Sequence, residues 1–511
     1  MKYQNIIDNM TLKEKAAFLS GKSEWQTRDF PRLDIPAIFC SDGPNGVRKQ
    51  AGAGDHLGIN PAVPATCFPT AAAMANSWDE ELEQRVGVAL GEESMEEDVN
   101  VLLGPGLNIK RNPLCGRNFE YFSEDPYLSG KMAAAFIRGV QSTGAAACAK
   151  HFAVNSQELR RMAMNAVVDE RTLREIYLTG FEIAIKEGGA KTVMSSYNEV
   201  NGVYANENEH LLKDILRDEW GFEGSVITDW GASNDHSLGV KNGSTLEMPT
   251  PGLDAARELL ASVESGKISE KDIDERVDEL LDLVLTTTEN AKHYKKVADK
   301  KALHEEHHKL ARLACENSAV LLKNEDGILP VGAKVQAAII GDFAFDPRYQ
   351  GAGSSMVNST KVDSIKDMLE TSGISVTGIV RGYQRDGKED EAMKKEAVDL
   401  ARRSDVVLFF FGLNEKSETE GLDRKHLRIP QNQINLIQEL AKANANMIGI
   451  ISAGSVIEMP WHHHFKALLH TALMGQAGAG AVLDILSGKV NPSGKLAETY
   501  IKKYEDTPSY N

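Results

Sequence analysis

The segment GSVITDWGAS, residues 224–233, says more about the fold of this chain than any other stretch of similar length. Its first residues suit a buried strand, and they lead directly into Asp229, Trp230 and two small residues. A carboxylate at the exit of a buried strand suits a helix cap, a metal ligand, a salt-bridge partner or a nucleophile. The segment by itself does not choose among these roles.

Similar apolar runs recur along the first half of the chain, at 37–43, 99–109, 145–155, 191–202 and 244–249. The stretches between them carry apolar residues at a spacing of three and four, which predicts amphipathic helices. Strands that are apolar on both faces, each followed by a helix, indicate a parallel sheet. The number of such units predicts an α/β fold of the (β/α)8 type, a TIM-like barrel, over residues 1–285.

A second series of strand and helix patterns follows the first. A polar helical stretch rich in Lys, Glu and His, residues 286–325, is predicted to link two domains. Five apolar runs between 335 and 475 alternate with further helical patterns. They predict a smaller α/β sandwich over residues 326–511.

Polar side chains occur where the predicted barrel strands end. They are Asp42, Asn108 to Lys110, Lys150-His151, Tyr197-Asn198, Asp229-Trp230 and Glu247. Because the carboxyl ends of barrel strands meet on one face, where active sites are built, we expect these side chains to form a site.

Composition excludes several classes of protein. The net charge of -17 argues against a nucleic-acid partner, because no basic stripe could neutralise phosphates. No run of eighteen apolar residues is present, so no transmembrane helix is expected. The five cysteines lie far apart without a CxxC pair, and the amino-terminal segment lacks the pattern of a signal peptide. We therefore expect a cytoplasmic protein.

One motif suggests zinc. HEEHH, residues 304–308, satisfies the HExxH pattern, with His304 and His308 one helical turn apart and Glu305 as the base. Its surroundings offer no third ligand and no strand, and a polar helix rich in Glu and His produces the pattern by chance. We predict no metal and no cofactor.

Several segments, taken in order, closely resemble family 3 glycoside hydrolases of the β-glucosidase branch. They are SDGPNGVR (41–48), GPGLNIKRNPLCGRNFEYFSEDP (104–126), KHF (150–152), SSYNEVNG (195–202), VITDWGA (226–232), LEMP (246–249), YQGAGSS (349–355), EGLDR (420–424) and NPSGKLAET (491–499). The resemblance covers essentially the whole chain. The N-acetylglucosaminidase branch is disfavoured, because KHF is followed here by AVNSQE rather than by a PGHG-like loop.

The resemblance implies a role for particular residues. Asp229 matches the nucleophile, and Glu420 matches the acid/base of the second domain. The positions implied to hold the sugar are Asp42, Arg117, Lys150, His151, Arg161 and Tyr197. Trp230 is implied to be an aromatic wall of that subsite, and Ser354 the loop serine near it. By composition alone, Glu418 is also a plausible acid, and the EGxDR match favours Glu420.

The expected activity is that of a retaining, exo-acting β-D-glucosidase acting on an oligosaccharide or glycoside. Alternatives are a β-xylosidase or another family 3 β-glycosidase, or a catalytically silent sugar-binding relative. Many relatives continue into a fibronectin type III domain that this sequence lacks, which is expected of a short form or a truncated chain. A homo-oligomer is a candidate assembly.

Overall fold

The computed structural model describes residues 1–50, 52 and 60–510. The chain folds into two compact units. The barrel unit comprises residues 1–65, 80–109 and 125–300, and the sandwich unit comprises residues 66–79, 110–124 and 301–511. Two short segments from the first half of the chain therefore belong to the second unit. The predicted boundaries at 285 and 325 stay a prediction.

The barrel unit is built on a parallel sheet of five strands in sequential order. They are β1 (Cys40–Asp42), β2 (Val101–Leu103), β3 (Ala146–Phe152), β4 (Thr192–Ser195) and β5 (Ser225–Thr228). Single parallel bridges extend this half-barrel, from Ile227 to Leu246 and from Glu247 to Ser20. The run predicted as a strand at 244–249 thus contributes bridges rather than a full strand. A small separate sheet joins Asn165–Ala166, Glu199–Val200 and Val203–Tyr204.

Helices connect the barrel strands. They are Gln4–Ile7, Leu12–Phe18, Glu80–Glu96, Pro126–Ser142, Glu170–Thr172 continuing through Leu173–Leu178 to Thr179–Lys186, His210–Glu219, His236–Asn242, Asp254–Glu264 and Glu270–His293. Local sequence explains several of their starts. Asp125 caps the helix that begins at Pro126, where the missing proline N–H costs nothing. Ser269 and Asp272 form a capping box on the last of these helices.

The strands of the half-barrel share one apolar core. Inward side chains such as Val101, Cys148, Met194 and Ile227 pack together with Leu246 and are essentially inaccessible to water. Strands that are buried on both faces require the continuous apolar runs seen in the sequence. The polar residues at the strand ends therefore begin where the apolar core stops.

The sandwich unit is built on a six-stranded sheet. Its strands are β6 (Val320–Asn324), β7 (Ala337–Ile340), β8 (Val376–Val380), β9 (Val406–Gly412), β10 (Met447–Ser452) and β11 (Ala467–His470). Their order is β8-β7-β9-β10-β11-β6, and only the last pair is antiparallel. The helices of this unit are Ala71–Met74, Lys300–Ser318, Ile365–Ser372, Glu391–Arg402, Gln431–Ala443 and Gly478–Leu486. Separate apolar clusters cover the two faces of the sheet.

The predicted fold class, a barrel-like α/β domain followed by an α/β sandwich, is confirmed by these two sheets. No helix among residues 1–50 and 60–510 is long and apolar enough to cross a membrane.

Candidate active site

Asp229 lies immediately beyond the carboxyl end of β5 and is largely buried. Its backbone amide donates to the carbonyl oxygen of Ser195 on β4 at 3.2 Å. The amide of Trp230 donates to Asp229 Oδ1 at 2.8 Å. The side chain is therefore fixed by its own turn, and a carboxylate that accepts a backbone N–H is stabilised in its charged form.

Two adjacent nitrogen-bearing side chains, Lys150 and His151, lie near the end of β3. Consecutive side chains of a regular strand point to opposite faces, but the β3–β4 register is irregular between Ala149 and Phe152, and this irregularity includes both residues. Lys150 Nζ lies 3.5 Å from Asp42 Oδ1, and His151 Nε2 lies 3.8 Å from Asp229 Oδ2. The irregularity explains how neighbours in sequence both reach carboxylates of the barrel mouth.

Asn108 fixes the orientation of His151. Its Oδ1 accepts from the His151 amide at 2.7 Å, and its Nδ2 donates to the His151 carbonyl at 2.8 Å. The same Oδ1 lies 3.4 Å from His151 Nδ1, a contact that suits a proton on that nitrogen. Because the oxygen and the nitrogen of the Asn108 side-chain amide both bind the backbone of His151, they fix the backbone that carries the imidazole.

Arg161 is anchored by a residue that the sequence analysis did not select. Its Nη1 donates to Oε2 of the fully buried Glu158 at 2.8 Å. The guanidinium lies over the ring of Tyr197, 4.7 Å from its centroid, and the Tyr197 hydroxyl donates to the Trp230 carbonyl at 3.1 Å. One chain of contacts thus runs from Glu158 to the residue beside Asp229.

The indole of Trp230 is held on two sides. Its Nε1 donates to the Glu24 carbonyl at 2.9 Å, and its ring packs on Trp25 with centroids 4.9 Å apart and an interplanar angle of 37°. A ring held by both a hydrogen bond and an aromatic neighbour has a fixed orientation. Trp25 is a second residue that motif analysis missed.

Glu420 belongs to the sandwich unit, together with Ser354 and Arg117. The Ser354 amide donates to Glu420 Oε2 at 2.7 Å, and Arg117 Nη1 lies 3.7 Å from Glu420 Oε1. Arg117 in turn makes a two-pronged contact with the buried Glu120, with Nε at 2.8 Å and Nη2 at 2.9 Å from its carboxyl oxygens. Arg117 is therefore grouped with Glu420, although its position in sequence lies between two barrel strands.

Glu418, the alternative acid, has a different environment from Glu420. Its side chain is only 1% exposed, whereas that of Glu420 is 17% exposed. Its carboxyl oxygens contact Arg348 Nη2 at 3.4 Å and Ser455 Oγ at 3.0 Å. A carboxylate committed to buried partners is poorly placed to exchange a proton with a substrate.

Glu247, at the last predicted strand end, faces His236. Its Oε2 lies 3.1 Å from His236 Nδ1. Burial, reinforced by Glu258 and Glu207, raises the pKa of Glu247 to about 7, and burial lowers the pKa of His236 to about 4. These two groups form a polar contact between a buried histidine and a partly buried glutamate.

The zinc-like motif lies on the helix Lys300–Ser318. His308 Nε2 lies 2.9 Å from Asp363 Oδ2, and its Nδ1 lies 3.0 Å from Gln476 Nε2. His304 Nδ1 lies 3.4 Å from the Thr66 hydroxyl. Both ring nitrogens of His308 are therefore used by neighbouring side chains of the sandwich unit.

Two family models match the chain. The description "Glycosyl hydrolase family 3 N terminal domain" applies to residues 23–283, and "Glycosyl hydrolase family 3 C-terminal domain" applies to residues 319–511.

The chain belongs to glycosyl hydrolase family 3.

Relatives within family 3 are similar over nearly the whole of this chain. The thermostable beta-glucosidase B of Acetivibrio thermocellus is 48% identical over 99% of this chain and 67% of its own length. An exo-alpha-(1->6)-L-arabinopyranosidase of Bifidobacterium breve is 42% identical over 98% of this chain and 67% of its own length.

Solved structures of family 3 members have the same fold. A GH3 beta-glucosidase of Bifidobacterium adolescentis has a TM-score of 0.92 at 42% identity, covering 98% of this chain and 72% of that one. Beta-glucosidase 3B of Thermotoga neapolitana, in complex with alpha-D-glucose, has a TM-score of 0.91 at 34% identity. The match covers 100% of this chain and 77% of that one.

Proposed function

We propose that this family 3 member is a retaining, exo-acting β-D-glucosidase that releases terminal, non-reducing glucose from oligosaccharides or glycosides. Asp229 is the nucleophile, and Glu420 is the acid/base. The observation that carries the proposal is the environment of Asp229, a carboxylate fixed at the carboxyl end of β5 beside His151 and near the Lys150–Asp42 pair.

In the first step, one carboxylate oxygen of Asp229 forms a bond to the anomeric carbon of glucose. The bond from that carbon to the glycosidic oxygen breaks, and Glu420 transfers its proton to the departing oxygen. The aglycone leaves as an alcohol, and glucose stays attached to Asp229 as an ester.

In the second step, Glu420 acts as a base. It removes a proton from a water molecule, the water oxygen attacks the anomeric carbon, and the bond to Asp229 breaks. Two displacements at one carbon restore its configuration, so the product is β-glucose. Retention requires the two carboxyl groups to be roughly 5–5.5 Å apart during the reaction.

The charged residues around Asp229 suit a neutral, hydroxyl-rich ligand. Lys150, His151 and Arg161 offer donors, and Asp42 offers an acceptor, so that each can bind a sugar hydroxyl once water is excluded. Trp230, rigidly held by Trp25, gives the sugar an apolar face to pack on. In the sandwich unit, we assign Arg117 and Ser354 to the same sugar.

The choice of Glu420 over Glu418 rests on exposure and partners. The 17% exposure of the Glu420 side chain leaves it accessible to a substrate oxygen, and Glu418 is buried in contact with Arg348 and Ser455. An acid/base must exchange protons with substrate and water, which favours the more accessible carboxyl group.

A second candidate is an arabinopyranosidase activity. Two relatives from Bifidobacterium, each 42% identical to this chain, are named exo-alpha-(1->6)-L-arabinopyranosidases. The β-xylosidase alternative uses the same carboxylate pair. β-D-Xylose lacks only the hydroxymethyl group of β-D-glucose, a difference that apolar contacts separate by about 1–3 kcal/mol. α-L-Arabinopyranose lacks that group and also differs in the orientation of its C4 hydroxyl, which hydrogen-bonding residues can distinguish, so the activity needs a direct comparison.

The test is a panel of p-nitrophenyl glycosides with β-D-glucose, β-D-xylose and α-L-arabinopyranose as the sugar. We expect the largest kcat/KM with glucose and its loss in Asp229→Ala. A larger value with arabinopyranose would select the second candidate, and undiminished hydrolysis by Asp229→Ala would remove the nucleophile assignment. A folded wild-type protein that binds glucose without hydrolysing any member would be a silent relative.

Catalysis of this kind uses only side chains, so activity is expected to be unaffected by EDTA. Loss of activity in EDTA, with recovery on adding zinc, would favour the His304–His308 alternative instead. The cytoplasmic location and the homo-oligomer stay predictions from the sequence.

A further inference from the structure

One buried serine connects the two ends of the segment that carries Glu420. Ser455 is 1% exposed, and its hydroxyl donates to Glu418 Oε1 at 3.0 Å. The hydroxyl oxygen of Ser455 also accepts a hydrogen bond from Arg424 Nη1 at 3.3 Å. The hydroxyl therefore joins residues that stand two positions before and four positions after Glu420.

Both residues that Ser455 joins are buried charges of opposite sign. Burial lowers the pKa of Arg424, and the nearby Glu418 carboxylate opposes that shift. Arg424 Nη1 also donates to the Val456 carbonyl at 2.6 Å, and Glu418 also contacts Arg348. Charges this far from water are retained only when they are paired and hydrogen-bonded, so the contacts around Ser455 fix both ends of the segment.

The backbone between these ends has further fixed points. The Glu420 amide donates to the Ala352 carbonyl at 3.0 Å, and the Arg424 amide donates to the Leu114 carbonyl at 2.8 Å. The Gly116 amide donates to Asp423 Oδ1 at 3.0 Å. The segment 418–424 is thus held by hydrogen bonds on several sides, and Ser455 adds a contact to a side chain at each of its ends.

We infer that Ser455 is a positioning residue for proton transfer by Glu420, an inference that rests on the proposed function. Removing its hydroxyl takes from Glu418 and Arg424 the one partner that they share, which loosens both ends of the segment although their other contacts remain. A displacement of about 1 Å at a reacting group can cost a factor of about 100 in rate. The expected defect is one of proton donation, because Asp229 belongs to the barrel unit and is held by its own turn after β5.

The test compares leaving groups in Ser455→Ala. A dinitrophenyl glucoside leaves without protonation, whereas an alkyl glucoside needs the acid. We expect kcat/KM for the alkyl glucoside to fall by about 10- to 100-fold and that for the dinitrophenyl glucoside to stay within about twofold. A loss confined to poor leaving groups is a signature that general destabilisation does not produce.

The matched control is Ser372→Ala. Ser372 is a buried serine of the same unit whose hydroxyl donates to the Leu369 carbonyl at 2.7 Å and accepts from the Ile374 amide at 3.1 Å. Like Ser455 it both donates and accepts, but its partners lie in the last turn of the helix Ile365–Ser372 and just beyond it, rather than in the segment 418–424. For Ser372→Ala, we expect the ratio of the variant's kcat/KM to that of the wild type to be the same for the alkyl glucoside and the dinitrophenyl glucoside.

Equal losses on both leaving groups in Ser455→Ala, or no loss in the folded variant, would overturn the inference. If Ser455→Ala does not fold, Ser455→Cys keeps the volume with a weaker donor, and the same preference for activated glucosides is expected. A wild-type protein that hydrolyses neither glucoside would instead refute the proposed function, so the two failures are distinguishable.

Discussion

The backbone amide of Ser354 donates to Oε2 of Glu420 over 2.7 Å. This contact is made by the chain itself, so it is independent of the rotamer of any neighbouring side chain. It fixes one carboxyl oxygen and leaves the other facing Arg117 at 3.7 Å. The geometry of the proposed acid/base therefore depends on the loop that precedes Ser354.

Gly353 is the residue of that loop that has no room for a side chain beside Glu420. Its φ is +114°, and a Cβ added there would lie 2.4 Å from Glu420 Cβ and 2.8 Å from Glu420 Oε2. Gly353→Ala is expected to displace the Glu420 side chain. We predict a loss of about 100-fold or more in kcat/KM for alkyl glucosides and a smaller loss for dinitrophenyl glucosides, measured by initial rates.

Gly373→Ala is the control for backbone strain. Gly373 has a φ of +78°, no atom of the described residues lies within 4 Å of an added Cβ, and it belongs to the same unit. This variant is expected to lose about 1 kcal/mol of folding stability and to keep its activity. Equal activity of the two variants would contradict the steric account of Gly353.

Glu158 is expected to support sugar binding through Arg161. Glu158→Gln keeps the size of the side chain and removes the charge that faces Arg161 Nη1 at 2.8 Å. Because the Glu158 side chain is fully buried and its charge faces Arg161 Nη1, loss of that charge should loosen the position of Arg161 over Tyr197. We predict a KM for aryl glucosides raised about tenfold.

Glu175→Gln removes a comparable but exposed contact, the pair with Arg171 at 3.1 Å. Pairs of that kind are worth only about 0–1 kcal/mol, so KM should not change. An unchanged KM in Glu158→Gln as well would show that Arg161 does not depend on Glu158.

Trp25 is predicted to act on the substrate through Trp230. In Trp25→Ala the indole of Trp230 keeps its hydrogen bond to the Glu24 carbonyl but loses the ring packed 4.9 Å away. We expect a KM raised by about three- to tenfold from the loss of about 0.5–1.5 kcal/mol of aromatic packing, with kcat less affected. Trp25→Phe, which restores a ring, should recover most of the binding, and no recovery would refute the packing explanation.

Glu83 makes folding stability depend on pH. It is buried in the helix Glu80–Glu96, and burial raises its pKa from 4.5 to about 8. Between those values the folded protein holds a proton that the unfolded chain has lost, so the contribution to stability is complete below pH 4.5 and is lost as pH rises to about 8. Glu83→Gln should remove the decrease in folding stability that Glu83 causes between pH 4.5 and about 8.

The measurement is the midpoint of urea unfolding of wild type and Glu83→Gln across that pH range. The advantage of the variant should grow with pH and level off above about 8. Glu81→Gln, an exposed position on the same helix, should follow the wild type. A constant difference between Glu83→Gln and wild type at every pH would contradict the assignment.

The sequence predicted the barrel-like fold and most of the charged residues at its mouth, because apolar strands that end in polar residues leave a local pattern. Asp42, Lys150, His151 and Asp229 were found in this way. The glutamates that hold the two arginines of the site were not predicted. Glu158 and Glu120 each stand three residues from their arginine, Arg161 and Arg117, and this spacing could have indicated the pairs.

Other features of the site had no local signal. Ser455 lies in an ordinary apolar context, more than thirty positions from Glu418, and only tertiary contacts bring them together. The grouping of Arg117 with Glu420 likewise depends on how the segment 110–124 packs. Composition alone could not distinguish Glu418 from Glu420, and only the EGxDR resemblance favoured Glu420. The physical difference between the two glutamates is their burial, which depends on tertiary packing.

The central claim is that Asp229 forms the bond to glucose. The most direct measurement uses an activated β-glucoside whose C2 hydroxyl is replaced by fluorine, which slows the second step and lets the glucosyl-enzyme accumulate. After proteolysis, mass spectrometry should find one fluoroglucosyl group on the peptide that contains Asp229, with fragmentation placing it on that residue. A group attached to another carboxylate, or full inactivation with Asp229 unmodified, would contradict the account.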